Sequence, residues 1–407
     1  MPLTNGRSFA TVICLIVAFA LLSSTVAAQQ TTADPDSREA EIAARQAEKA
    51  KDSRPYEPNA AEGFIEKLDQ HLRSGHVSWH PYVATAYSGA GFTLGAGYTK
   101  FIGDYSTVDA RGSMSLSGSK RVELEAVFPR LLERRAVLKV GTGWREGLDA
   151  PFYGIGNDTL ASSEANFDFT QFNTWTDFQV RPRRNPFLFG ATLEYMQIDQ
   201  RFELDTVFAQ LFTPDRVPGV GAQPDYIHAS GTVALDWRPA ADYARRGGYY
   251  GITAQHYADQ KGDFTFSRLE YEAVQHVPIL RDAWVLSLRG RVHTTMLDDV
   301  DNVPFFMMPF LGSGSTLRGY SSGRFRDLNS LLLSAEWRVL VNSFVDLAFF
   351  YDAGKVTSRR SDLNLDALHE NYGVGLRLHS PVATPIRVEF ARGKEGNRLV
   401  FAADAVF

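Results

Sequence analysis

Residues 331–342 read Leu-Leu-Leu-Ser-Ala-Glu-Trp-Arg-Val-Leu-Val-Asn. Within them Leu333, Ala335, Trp337 and Val339 alternate with Ser334, Glu336 and Arg338. A period of two is the signature of a β-strand whose faces meet different surroundings. The pattern recurs on both sides. Val122, Leu124, Ala126 and Phe128 alternate with Arg121, Glu123 and Glu125. Trp284, Leu286, Leu288 and Val292 alternate with Ser287, Arg289, Arg291 and His293.

A soluble sandwich also alternates, because one face is wet. Strand length separates the two cases. These segments run to ten residues or more, near the ~9–11 of a tilted transmembrane strand and beyond the ~5–6 of globular sheets. Charged residues on one face of many strands suit a polar lumen. The reading is all-β: a transmembrane antiparallel β-barrel of about sixteen strands, from 77–87 at the start to 397–407 at the end. Long connections at 145–163, 203–224, 298–329 and 355–369 alternate with short links such as 341–343, which places the long ones on one side. Phe401, Ala403, Ala405 and Phe407 share a face of the closing strand, so Phe401 and Phe407 are expected at the lipid-facing seam.

The N-terminus has the form of a secretory signal: Arg7, the apolar run ATVICLIVAFALL and small residues up to Ala28. The expected organisation is a signal peptide over 1–28, a helical or linker periplasmic segment over 29–76 and the barrel domain over 77–407. Within 29–76, Phe64, Ile65, Leu68 and Leu72 fall on one helical face, which fits a plug, an interfacial helix or a short helix packed on the barrel. Cys14, the only cysteine, lies in the signal, so neither disulfides nor thiolate metal sites are expected. A net charge of −5 carries no basic footprint for nucleic acid.

Residues 312–327, GSGSTLRGYSSGRFRD, are loop-like yet hold Leu317, Arg318, Gly319 and Tyr320 in a row. With the topology above, this long loop can fold into the lumen. Glu336 points inward on its strand; Asp346, Phe350 and Asp352 share the inner face of the next. An inward carboxylate beside a folded-in arginine makes a charge-assisted contact. Gly319 is expected to permit a sharp turn and Tyr320 to pack on the wall.

At these residues the chain resembles the BamA/TamA superfamily of outer-membrane barrels, the bacterial surface antigen proteins. Its (V/L)-R-G-(F/Y) loop motif appears as Leu317-Arg318-Gly319-Tyr320, and F-x-D-x-G as Phe350-Tyr351-Asp352-Ala353-Gly354. Glu336 matches the family's glutamate on the strand after the loop, and FYGIGNDT at 152–159 is similar to a glycine-rich loop of shorter members. The resemblance implies that Arg318 bonds Asp352 and Glu336, with Phe350 and Gly354 counted among the lumen acceptors. It also implies a weak seam between first and last strands that admits client strands. Pro81 and the run Gly89, Gly91, Gly95, Gly97 fit that seam, and equally fit a bulge at a barrel corner. POTRA modules typical of the family are not expected between Ala28 and Val77, which read as helical.

The implied role is outer-membrane protein insertion or polypeptide translocation in a bacterial outer membrane. The alternative is a passive or solute-specific channel, since inward Arg289, Arg291, Arg338, Arg377, Arg387 and Glu389 equally suit a pore. Expected partners are outer-membrane lipid and unfolded outer-membrane protein clients, with a monomeric barrel. No Gly-x-Ser-x-Gly elbow occurs near 313–322, and His76 and His80 lack metal-ligand spacing, so no catalytic residue, metal or cofactor is expected.

Overall fold

Strict alternation over long segments yields one antiparallel sheet in which each strand pairs with its neighbours in the chain. The computed structural model describes Arg45 and residues 78–402, excepting 183–185, 202–206, 281, 297–302, 381–383 and 385. The expected signal peptide over 1–28 and helical segment over 29–76 lie outside the described residues, Arg45 aside, as does Phe407.

The sheet begins with β1 (Trp79–Pro81), β2 (Thr93–Ile102), β3 (Ser106–Ser115), β4 (Lys120–Arg130), β5 (Ala136–Phe152) and β6 (Ala165–Val180). It continues through β7 (Phe187–Arg201), β8 (Asp225–Asp236), β9 (Gly247–Asp259), β10 (Phe266–Leu280) and β11 (Trp284–Met296). A two-residue pair, β12 (Phe310–Leu311) and β13 (Phe325–Arg326), stands apart inside the long loop. The sheet then resumes with β14 (Asn329–Asn342), β15 (Val345–Thr357), β16 (His369–Leu378), β17 (Ile386–Gly393) and β18 (Gly396–Ala402). Sixteen strands make up the main sheet.

Exposure is inverted relative to a water-soluble protein. Leu193, Leu376 and Phe401 are more than half exposed, whereas Asp352, Glu389 and Arg318 are fully buried. So much contiguous apolar surface is unfavourable in water and matched by hydrocarbon. The charged face is therefore the inside of a barrel wall.

The sheet is open: among the described residues no ladder joins β18 to β1. The expected first strand, 77–87, is corrected here, for β1 holds only three residues. Pro81 cannot donate a ladder hydrogen bond. Beyond it the chain makes one more bond, Tyr82 N–H to Gly95 O, and turns inward. Residues 82–90 then cross the inner wall of β3–β5. Ser113 Oγ donates to Ala84 O (2.6 Å), Arg121 Nη1 to Thr85 O (3.1 Å) and Arg145 Nη1 to Ala86 O (3.0 Å). Inward side chains of three successive strands thus replace the strand partner that the segment has left.

Opposite the long loops, the turn 237–246 also folds inward. Buried Tyr243 donates to Asp346 Oδ2 (2.9 Å) and stacks on His379 at 4.2 Å. Arg338 Nη2 donates to Ala244 O, and Thr384 Oγ1 to Asp242 O. At the other end, Phe152, Phe167, Phe208, Phe212 and Phe305 form an aromatic cluster that ties the loop before β12 to β5 and β6. Phe305 lies 4.5 Å from Phe152 and 5.0 Å from Phe167, centroid to centroid.

Phe305→Ala should remove a fully buried ring at a cost of roughly 3–5 kcal/mol. The expected readout is a lower urea midpoint by tryptophan fluorescence and faster proteolysis within 303–328; unchanged values would show that the loop is anchored elsewhere.

Candidate functional site

The segment between β12 and β13 doubles back into the lumen. Gly312 (φ +95°) and Gly323 (φ +65°) take left-handed conformations at its base, and Gly323 N–H donates to Gly312 O (2.9 Å). At its tip Tyr320 N–H donates to Leu317 O (3.1 Å), which closes a turn over Arg318 and Gly319.

The strand registers prepare a receptor for that tip. Ser334 on β14 faces Asp352 on β15, and Asp352 faces Asn371 on β16. Gly375 on β16 faces Glu389 on β17. Gly373 and Gly375 leave room that a side chain would fill. A Cβ at Gly373 would meet the Phe350 ring at 2.3 Å, and one at Gly375 the Glu389 Cγ at 2.6 Å.

Into this space Arg318 inserts a fully buried guanidinium. Nε and Nη2 donate to the two oxygens of Asp352, each at 2.8 Å. Nη1 donates to Glu336 Oε2 (3.1 Å) and Glu389 Oε1 (3.0 Å). Its Cζ sits 3.4 Å from the Phe350 ring centroid, a cation–π contact. The carboxylates are held in turn. Asn371 Nδ2 donates to Asp352 (2.8 Å), Arg377 Nη2 bridges Glu336 (2.5 Å) and Glu389 (2.7 Å), and Arg387 Nη1 reaches Glu389 (2.6 Å). Three guanidiniums thus face three carboxylates, which removes the large penalty of an isolated buried charge. Burial opposes the charge on Arg318, but the Asp352 carboxylate overcomes it and raises the pKa above that of an ordinary arginine.

Leu317, fully buried, packs with Leu311, Tyr320, Phe325, Leu332 and Val356. Tyr320 donates to Glu370 O (3.2 Å). Gly319 departs from its expected part. It lies in the turn, yet its φ is not left-handed; what it supplies is space. A Cβ there would meet Asn371 Cβ at 2.6 Å and Gly393 N at 2.9 Å, so only glycine lets the tip touch the wall. Gly354 likewise is no acceptor but a gap, because a Cβ there would come within 2.9 Å of Leu311. Pro81 sits at the end of β1, and Phe401 points to the lipid side of β18.

Glu389 was legible only as an inward charge, not as a partner of Arg318. Its place 71 residues away on β17 follows from the curling of the sheet, which no local pattern encodes. The glycine-rich loop at 152–159 meets the same loop. Gly156 N–H donates to Arg326 O (2.8 Å), and Arg324 Nη1 to Thr159 Oγ1 (2.7 Å). Among the described residues, no group of three or more His, Cys, Asp or Glu could hold a metal.

The profile of the Omp85 superfamily domain matches residues 101–401. The chain belongs to the Omp85 superfamily. It is a bacterial outer-membrane β-barrel protein. Two solved structures show the same fold. BamA from Haemophilus ducreyi lacking POTRA domains 1–3 is 14% identical, with a TM-score of 0.57 over 79% of this chain and 68% of that one. CdiB from Acinetobacter baumannii is 10% identical, with a TM-score of 0.51 over 79% of this chain and 58% of that one. A search of curated proteins finds no match.

Arg318→Ala should leave Asp352 buried without a cationic partner and take one guanidinium from Glu336 and Glu389, at a cost of about 3–5 kcal/mol, read as earlier loss of the compact form when samples are heated before electrophoresis. Arg318→Lys should rescue little, since an ammonium lacks the planar fork that Asp352 receives. Wild-type behaviour of both would mean that the ion cluster does not hold the loop. A second expectation concerns Asp327, whose carboxyl burial pushes up to about 6, while the Leu328 N–H partly opposes it. A folded pKa above the unfolded one near 3.9 favours the seated loop at low pH, a contribution lost as pH rises through that window. Proteolysis within 303–328 should therefore slow between pH 7 and 5, and Asp327→Asn should flatten the dependence.

Proposed function

We propose that this barrel inserts or translocates polypeptide at the outer membrane, with β1 and β18 as the seam and the loop tip at Arg318 as the lumen stop. The observation that carries the reading is the state of the first strand. It pairs with β2 over Trp79–Pro81 and then leaves the sheet. This leaves the upper part of β2 with an edge that an incoming strand can extend by main-chain hydrogen bonds. Membership of the Omp85 superfamily supports the same reading. The clients are unfolded outer-membrane proteins, and the lipid-facing girdle keeps the seam in contact with the bilayer into which they pass. The filled lumen favours this over a standing solute channel. Arg318, with its carboxylates, and the turn at 237–246 occupy the barrel from opposite ends.

The test is one reconstitution with two readouts. In planar bilayers the intact protein should give low, flickering conductance that rises in Arg318→Ala. In liposomes it should speed the insertion of an unfolded outer-membrane protein. Large, steady conductance in both forms, with no effect on insertion, would hand the reading to a channel.

A further inference from the structure

Between the withdrawn segment 82–90, the inner wall of β4–β7 and the lumen loop lies a cavity of about 500 Å³. That volume falls within the roughly 300–1,000 Å³ of small-molecule sites, which occur in the mouths of β-barrels. Phe167, Phe169, Met196, Phe306 and Phe310 supply an apolar lining. Beside them stand two guanidiniums, Arg326 and Arg145, that have no carboxylate partner among the described residues.

Arg326, on β13, is only 6% exposed. Its Nη1 donates to Phe305 O (2.8 Å), while its buried Nε has no hydrogen-bond partner. Its Cζ lies 5.2 Å from the Phe310 ring centroid and 5.8 Å from that of Phe152. Arg145, on β5, donates only to neutral oxygens, those of Gln171 Oε1 and Ala86 O. The two carboxylates that line the cavity are already engaged. Glu123 takes Arg111 (2.9 Å) and Arg121 (2.5 Å); Glu194 takes His228 (3.1 Å) and Asn173 (2.9 Å). Three lining arginines against two lining glutamates leave an excess of one positive charge.

A buried donor without an acceptor is costly, and a charged one more so. In the Arg318 cluster that cost is met by three carboxylates of the chain. At Arg326 and Arg145 no carboxylate among the described residues meets it. We propose that the cavity binds a small organic monoanion with an aromatic or short acyl body, its charge held by Arg326 and Arg145 and its body against Phe167 and Phe169. No residue of the Arg318 cluster lines the site, and its binding test is read independently of polypeptide insertion.

Indole-3-propionate is a suitable probe, titrated by calorimetry against the full chain in lipid nanodiscs with empty nanodiscs as blank. Its neutral counterpart, indole-3-propanamide, tests the charge. The acid should bind at least about tenfold more tightly than the amide, the range for hydrogen bonds to charged groups. Arg326→Gln and Arg145→Gln should each abolish that preference. Met196→Trp, which fills the cavity from β7, should remove binding of both compounds while the barrel keeps its compact form on electrophoresis; it also serves if loss of Arg326 prevents folding. No heat above the blank at millimolar probe, or equal affinity for acid and amide, would overturn the proposal and leave the space as a hydrated void.

Discussion

One buried guanidinium organises half of this molecule. Arg318 reaches Glu336, Asp352 and Glu389 on three strands, and Phe350 lies beneath its plane. An arginine suits this place because its planar fork gives two parallel bonds to Asp352 while a further nitrogen serves two other acceptors. The wall is shaped to receive it. Glycines at 373 and 375 clear the volume, and Gly319 and Gly393 let the loop tip and the wall meet backbone to backbone. The Leu317 and Tyr320 contacts then surround an ion cluster sealed from water, where its attractions are strongest.

Much of this was legible from spacing. Alternation located the strands, because lipid on one side and a polar lumen on the other impose it residue by residue. It also placed Glu336, Phe350 and Asp352 on inner faces before any contact was known. What alternation cannot encode is which strands face one another across a curved wall. That is why Glu389 entered the reading as a pore charge rather than as a partner of Arg318. The first strand failed for a related reason. Tyr82 and the residues after it would suit a strand, and only the missing proline donor at 81 with the inward-reaching Ser113, Arg121 and Arg145 draws them off. Tyr243 lies in the turn between β8 and β9, where no local pattern marks a residue for the lumen.

The two openings of the barrel are treated alike. At the end with long loops, the aromatic cluster around Phe152 and Phe305 carries the loop inward. At the other, Tyr243 is drawn in by Asp346 and roofed by His379. In each case an aromatic side chain brings the bulk and a strand carboxylate or guanidinium supplies the direction. The wall between β1 and β18 is treated differently. There the ladder is given up, and the freed segment is bound to inner side chains of β3–β5.

That binding of 82–90 bears on how the chain can reach this state. Ser322 donates to Ser88 O across 234 residues of sequence, and Asn157 and His369 meet across 212. Contacts of such span form late, because the entropy of closing long loops must be overcome first. The segment, the loop and the glycine-rich turn all lie within the curve of the wall, so a wall completed beforehand would shut them out. Assembly must therefore run from the contents outward: interior contacts are made while the sheet is still a curved ribbon, and the edges approach last. An unsealed edge is, on this view, the trace of the final folding step.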